Sequence, residues 1–288
     1  MALDSQQLAT FAAVIREGSF EAAARQLHVT PSAISQRIRA LEQSVGQILI
    51  QRTKPSVATE AGRPLLRLAG QIAVLESEAL GSAEGDLARA TVVVNADSLA
   101  TWFLPVLTAV PLLFELREDD EEHTTDLLRE GSVMAAVTAQ NVAVQGCRVD
   151  RLGSMRYVAV ASPELVGRFF TDGVTAEALA AAPMVVFNRK DQLQHRFLRT
   201  VTKRLMDPPI HYVPSVWAFG EAIRLGLGWG MIPEQLARPD LKARLLAELA
   251  PGRHLDVPLY WQYWRLDSQT IHALTAAVKA AAARALRR

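Results

Sequence analysis

The sequence predicts an α+β protein of several domains. It has a small N-terminal unit of three helices and a hairpin, a single connecting helix, and a larger C-terminal α/β part in two halves. Three observations carry this reading. Short apolar stripes with spacing i, i+3, i+4, i+7 fill the start of the chain. A longer apolar seam follows, ending at the Gly-rich stretch Gly81 to Asp86. From residue 88 onward, β-rich runs alternate with helical patterns. With 288 residues, half of them hydrophobic, the chain is long enough for two or three cores.

Composition narrows the function classes. The net charge is +1, so affinity for nucleic acid must come from a local patch. Cys147 is the only cysteine, which excludes an intramolecular disulfide and fits a reducing compartment. The start, MALDSQQLATF, lacks a basic segment followed by a long apolar one, so no signal peptide is expected. No run reaches the roughly 18 apolar residues of a membrane helix. The expectation is a cytoplasmic protein without membrane partners.

The three helices come first. Leu8, Phe11, Ala12 and Ile15 form one stripe, and Phe20, Ala23, Ala24 and Leu27 the next. Ile34, Ile38 and Leu41 form the third. Gly18-Ser19 separates the first two, with Ser19 as N-cap. Thr30-Pro31 opens the third, with Thr30 as cap and Pro31 where a missing N–H costs nothing. The second and third are joined by a tight turn, which is a helix-turn-helix arrangement. On the third helix, Ser32, Ser35, Gln36 and Arg39 fall opposite the apolar stripe. Small hydroxyls allow close approach to a groove, Gln pairs with adenine and Arg with guanine. Arg37 lies at the flank, suited to a phosphate. "ILIQRTKPSVAT" reads as a hairpin with Arg52 and Lys54 near its tip. Through Gly70 there are eight cations against five acids, so this part is locally basic. An ordinary small helical bundle with one polar helix shows the same periodicity.

The run from Phe11 to Arg52 strongly resembles the N-terminal winged helix-turn-helix of LysR-type transcriptional regulators. Gly18-Ser19-Phe20, Ala22-Ala23-Ala24, Leu27, Pro31-Ser32, Ser35, Ile38, Leu41-Glu42, Gly46 and the T-x-A-G of Thr59 to Gly62 carry the resemblance. It implies binding to double-stranded promoter DNA, with Thr30 to Gly46 as recognition helix.

Next, residues 60 to 80 read as a helix. Leu65, Leu68, Ile72, Leu75 and Ala79 follow a coiled-coil-like spacing, and Pro64 bends or shifts its start. In the family this helix pairs two protomers. "GSAEGD" then reads as a hinge.

In the C-terminal part, strands are expected at Thr91–Val94, Leu112–Leu116, Val133–Thr138 and Arg156–Ala161, with helices from Ser98 and over Glu122–Arg129. Further strands are expected at Met184–Phe187, His211–Val213, Trp229–Ile232 and Pro258–Leu266, and a last helix at Gln269–Ala285. The resemblance extends here and implies a two-subdomain α/β, periplasmic-binding-protein-like effector domain. The expected boundaries are 1–59 for the winged head and 60–87 for the linker. The effector subdomains span 88–161, completed by 258–288, and 162–257. Val94 to Pro105, Ala136 to Tyr157 and Phe219 to Glu234 resemble the ArgP/LysG group of that family. The group senses basic amino acids and activates their export, which implies lysine, arginine or histidine as effector and a homo-oligomer, a tetramer of paired dimers.

Ligand residues follow from chemistry and topology. In open α/β sheets ligands sit beyond the carboxyl ends of strands. Asn95, Asp97, Ser98 and Thr101 stand where the strand ending at Val94 turns into a helix, with Asp97 or Ser98 as N-cap. Free N–H groups and hydroxyls there suit a carboxylate. Thr138 ends another strand. For a cationic group, the run Glu118 to Glu122 offers Asp119, Asp120 and Glu121, expected before the helix starts. The plain reading of this run is a solvated turn whose acids favour a helix N-terminus. Its acids lack the alternate spacing of a calcium loop, so no metal is expected. At "VPSVWAF", Ser215 is a further candidate. The group usually has a small residue and then Glu where this chain has Val216 and Trp217. Trp217 can hold a cation over its face, or admit an aromatic or bulkier effector.

Catalysis is not expected. Cys147 has no His motif beside it, there is no G-x-S-x-G, and the six histidines are scattered. "GLGWG", Gly226 to Gly230, leads into a strand, unlike a nucleotide loop. No cofactor is implied. A free-standing solute-binding protein is opposed by the first sixty residues.

Overall fold

The computed structural model describes residues 3–80, 88–118, 121–203 and 206–288, with the backbone alone at 121–124. The expected hinge Gly81 to Asp86 lies outside the described residues.

The head is built from α1 (Ser5–Glu17), α2 (Phe20–Gln26) and α3 (Pro31–Val45). Each starts on a side-chain cap. Asp4 accepts from Gln7 N, Ser19 from Ala22 N and Thr30 from Ala33 N, at 2.9, 3.1 and 3.2 Å. Leu8, Phe11, Val14, Ile34, Ile38 and Leu41 are fully buried between the helices. A short antiparallel hairpin follows, β1 (Ile50–Gln51) with β2 (Val57–Ala58), Ile50 opposite Ala58.

The linker is α4 (Gly62–Leu80), with Pro64 in the first turn, where its missing N–H has no intrahelical role. The stripe it buries differs from the expected seam. Leu66 and Ala69 enter the head core and Val74 is buried further along. Leu65, Leu68 and Ile72 only lean on that core, while Leu75 and Ala79 stay exposed.

The C-terminal part contains β3 (Arg89–Val93), α5 (Ala96–Ser98), a π-helical turn at Leu99–Phe103, α6 (Leu104–Ala109), β4 (Leu113–Arg117), α7 (Glu121–Glu130) and β5 (Ala135–Thr138). It continues through β6 (Cys147–Ala161), α8 (Pro163–Phe169), α9 (Ala176–Ala181), β7 (Met184–Val186), α10 (Leu193–Val201) and β8 (Ile210–Tyr212). It ends with α11 (Val216–Arg224), β9 (Gly230–Pro233), α12 (Glu234–Lys242), β10 (Ala247–Glu248), β11 (His254–Trp264) and α13 (Gln269–Ala285).

By compactness the chain forms two units. The first holds Met1–Asn95, Pro105–Asp150 and Tyr260–Ala280; the second holds Ala96–Leu104, Arg151–Leu259 and Ala281–Arg288. The divisions fall inside β6 and β11, which each pass from one unit into the other.

In the first unit β3 runs parallel to β4 and β5, and β11 pairs antiparallel with β5, Tyr260 opposite Thr138. A buried glutamine, Gln262, ties the loop after β5 to this sheet. Its carbonyl accepts from Val144 N at 3.0 Å, and its amide donates to Gln140 O and Val142 O at 3.1 and 2.9 Å. The linker helix is fastened to the same unit. Arg67 donates to Gln145 O, Leu128 O and Arg129 O at 2.5, 3.1 and 3.0 Å. Gly131, at φ 75, lets the chain pass so close that a Cβ would stand 2.6 Å from that of Arg67. At the other end of α4, Glu78 accepts from the Ser268 hydroxyl and the Thr270 backbone at 2.5 and 2.9 Å, capping α13. Burial pushes the Glu78 carboxyl up, but the hydrogen bonds from Ser268 and Thr270 outweigh it and hold it below its ordinary value.

In the second unit β9 pairs antiparallel with β6, Tyr157 opposite Pro233, and β10 pairs with the end of the same strand. β7 and β8 pair parallel. Val158, Val160, Val185, Phe219, Ile223 and Ile232 form its core. "GLGWG" leads into β9, as the sequence indicates.

Replacing Gln262 with Leu strands one buried N–H and two carbonyls. It is expected to lower the stability of the first unit by about 2 kcal/mol or more, read as a shifted urea midpoint. Glu78→Gln gives a pH test. A lowered carboxyl contributes stability above its unfolded pKa that is lost as pH falls through the folded one. The wild type should therefore exceed the variant in melting temperature at neutral pH, with the gap closing as the carboxylate protonates.

Candidate functional site

On the head, the exposed face of α3 carries Ser32, Gln36 and Arg39, with Ser35 half-buried beside them. Thr30 is exposed but occupied. Besides capping Ala33 it shares a 2.9 Å hydrogen bond with Ser32. Arg37 is half-buried and reaches back to the Thr10 hydroxyl at 3.4 Å. That contact sets it at the flank, where the sequence reading put it.

The hairpin tip is held by packing that sequence spacing alone does not reveal. Gly18 has φ 71, and a Cβ there would stand 2.9 Å from Pro55 Cβ. The Gly18 carbonyl also accepts from Ser56 N at 2.7 Å. Arg52 lies over the Phe20 ring, 4.9 Å from its centroid, and Lys54 is exposed at the tip. At the base, Glu42 accepts from Leu49 N at 2.9 Å, and the Thr59 hydroxyl donates to Ile48 O at 2.8 Å. Gly18, Glu42 and Thr59 thus fix the wing against the helices. The helix face and the wing tip, with Arg39, Arg52 and Lys54, can contact phosphates and base edges of a duplex.

In the second unit, Asp97 and Ser98 stand inside the first turn of α5, not before it. The helix starts two residues earlier than expected, so neither is the N-cap. Tyr157, on β6, donates to Asp97 Oδ2 at 2.6 Å. Ser98 is fully buried, and its hydroxyl has no hydrogen-bond partner. Thr101 lies on the π-helical turn and donates back to Asp97 O at 2.6 Å. Ser215 caps α11, accepting from Ala218 N at 3.4 Å. Trp217, the second residue of that helix, is 78% exposed. These groups offer a buried hydroxyl, a tyrosine-bound carboxylate and an exposed indole, chemistry that suits a carboxylate, a cation and an apolar stem respectively.

In the first unit, Asn95 Oδ1 is buried without a partner, and Thr138 is buried with its hydroxyl accepting from Gln140 N at 3.1 Å. Glu121 begins α7, so it stands on the helix and not before it. Its side chain, and Asp119 and Asp120 altogether, lie outside what is described. Tyr157 is the residue that the sequence reading missed. The cue was its place at the end of the ArgP/LysG-like run, but a bond across sixty residues has no local signature. Among the described residues no group of His, Cys, Asp and Glu could hold a metal ion, and no helix is long and apolar enough to cross a membrane.

Comparison with known proteins gives concordant matches. The family model for the bacterial regulatory helix-turn-helix protein, lysR family, matches residues 5–63, and that for the LysR substrate binding domain matches residues 111–285. The chain is 51% identical over 285 residues to the HTH-type transcriptional regulator LysG of Mycobacterium tuberculosis, covering 97% of this chain and 94% of that protein. It is 44% identical over 294 residues to the lysine export transcriptional regulatory protein LysG of Corynebacterium glutamicum, covering 98% of each. The full-length structure of that LysG with bound effector Arg matches with a TM-score of 0.79 at 43% identity, over 99% of this chain and 100% of that one.

Glu42→Ala removes the acceptor of Leu49 N. Amide exchange at Leu49 and along residues 48–59 should quicken by about tenfold, while the α1–α2 amides stay protected.

Proposed function

The chain belongs to the LysR family of bacterial transcriptional regulators, and from that premise we propose that its effector is a basic amino acid, lysine, arginine or histidine, and that it activates an export gene for such compounds. Regulators of this family bind promoter DNA and a small molecule, and they are not enzymes. The observation that carries the effector reading is the Ser98 hydroxyl, buried without a partner on a helix's first turn beside the Tyr157-bound Asp97. A buried hydroxyl left unbonded costs about 1–3 kcal/mol, a cost that a ligand carboxylate there would offset. The bound Arg of the Corynebacterium relative supports the same chemistry.

In this reading Ser98 and backbone N–H groups take the α-carboxylate, Asp97 faces a cationic group, and Ser215 and Trp217 flank the side chain. A second reading keeps the regulator and changes the effector to an aromatic or bulkier one. The 78% exposure of Trp217, a broad apolar face open to a ligand, favours it.

On the DNA side, Ser32, Ser35, Gln36 and Arg39 read base edges, while Thr30, Arg37, Arg52 and Lys54 hold phosphates. Such contacts bring a steep salt dependence. The exposed Leu75 and Ala79 on α4 support pairing of two protomers along this helix, and a tetramer of such pairs. The effector acts by binding one arrangement of the heads better than another. A cytoplasmic location follows from this role.

Arg39→Ala is expected to weaken operator binding by about 1–3 kcal/mol in a gel shift, with effector affinity unchanged; equal operator affinity would remove Arg39 from the reading face. Ser98→Ala should raise the calorimetric Kd for arginine about tenfold. Calorimetry with lysine, arginine, histidine, phenylalanine and tryptophan separates the two effectors. Binding of the aromatic amino acids alone selects the second reading.

A further inference from the structure

A cavity of about 410 Å³ opens in the second unit where β6, the start of α12 and the last residues of the chain meet. Arg156, Arg238, Arg284 and Arg287 line it, and Glu234 is the single acid in that lining. Four guanidiniums from three segments converge on one space. Like charges gathered this way repel, so an unliganded cluster is held at an electrostatic cost.

The protein's own acids answer part of the charge. Asp256, behind the wall, takes Arg156 through two hydrogen bonds of 2.8 Å. Glu234 accepts from Arg287 at 2.7 Å and stands 3.8 Å from Arg238, at the outer limit of an ion pair. The hydrogen bond from Arg287 holds the Glu234 carboxyl below its ordinary value, so it is ionised at neutral pH. The lining thus carries four guanidiniums and one carboxylate, with Asp256 taking Arg156 and Arg284 also engaged within the fold.

The segments are fastened in place. Arg287 exchanges backbone hydrogen bonds with Ser154 at 2.7 and 3.0 Å, and Gln235 donates to Ala285 O at 2.6 Å. These bonds lay the end of the chain along β6 and α12 and keep its arginines at the cavity. The first turn of α12 adds to the field, since Pro233 gives it no side-chain cap. Guanidinium groups match the oxygens of phosphate and carboxylate groups in two-point contacts. The volume is within the usual range for a small-molecule site.

We infer that this cavity binds a small dianion, a phosphate or dicarboxylate group, as a second ligand of the regulator. None of its lining residues is among those proposed for the amino acid, so the two inferences stand or fall separately.

The test uses the full-length protein with sodium phosphate or sodium succinate, each against sodium chloride at equal ionic strength. The expected result is calorimetric binding by at least one anion with a Kd of about 5 mM or tighter, and a melting temperature raised above the chloride control. A response to phosphate alone, or to succinate alone, identifies the ligand class. Arg238→Ala combined with Arg284→Ala should weaken that binding at least tenfold and leave arginine binding and the circular dichroism spectrum unchanged. Arg238→Lys keeps the charge without the planar fork and should fall between. The inference is overturned if neither anion exceeds chloride, or if the double variant binds as tightly as the wild type.

Discussion

Arg67 is the interaction on which the first unit depends. Its guanidinium sits on the linker helix and reaches three carbonyls, two of them at the end of α7. Those two stand in the last turn of the helix, where its negative partial charge lies, and Leu128 O also accepts from Gly131 N at 3.2 Å, so a cation there neutralises the helix end. Arg63 adds an ion pair to Glu130 at 3.3 Å on the same turn. At the far end of the linker, Glu78 meets the positive start of α13. One helix therefore holds a cation against a helix C-terminus and an anion against a helix N-terminus. Between them, Gly70 admits Trp264 so closely that a Cβ would stand 2.5 Å from its ring. The head joins the α/β part through these three points.

How much of this was legible depended on the range of the interaction. The head helices read well because their stripes and caps are local. Ser19, Thr30 and Pro31 act within one turn of where they stand. The last helix, Gln269 to Ala285, was read to the residue for the same reason. Strand positions after residue 88 came out within a few residues, but β6 starts at Cys147 and not at Arg156. Its first half mixes charged and apolar residues and lacks a continuous apolar run. The linker was recognised as a helix, and its apolar spacing was read as a seam that pairs protomers. The stripe it buries within the chain, Leu66 and Ala69, was not read, because it depends on the head core it meets. Arg67, Gln262 and Tyr157 were invisible, since their partners lie 61 to 78, 118 to 122 and 60 residues away.

The acidic run changes meaning with its placement. Glu118 is exposed just past β4, and α7 starts at Glu121. Acids at a helix start are favourable on their own account, so the run needs no ligand to explain it. Its interest lies in the other end of α7, where Arg67 sits. Asp97 differs from that run in having a described carboxylate, held by the Tyr157 hydroxyl at 2.6 Å.

The turn after Ser98 separates two kinds of evidence that are easily merged. Leu99–Phe103 is π-helical, an arrangement that is rare and often found at functional sites. Here it has a sufficient structural cause. Trp102 and Phe103 are adjacent in sequence, yet both are buried, 3% and 0% exposed, and they meet edge to face at 5.6 Å. In a regular α-helix successive side chains diverge by about 100°, and the wider turn lets both rings reach the core. Burying two aromatic side chains contributes several kcal/mol, more than a single strained turn costs. The π turn therefore says nothing about a ligand. The Ser98 hydroxyl has no such account: it is buried without a hydrogen-bond partner, a cost shared by Asn95 Oδ1 three residues before it. That buried hydroxyl is the observation from which the effector proposal starts, because the fold supplies it no hydrogen bond.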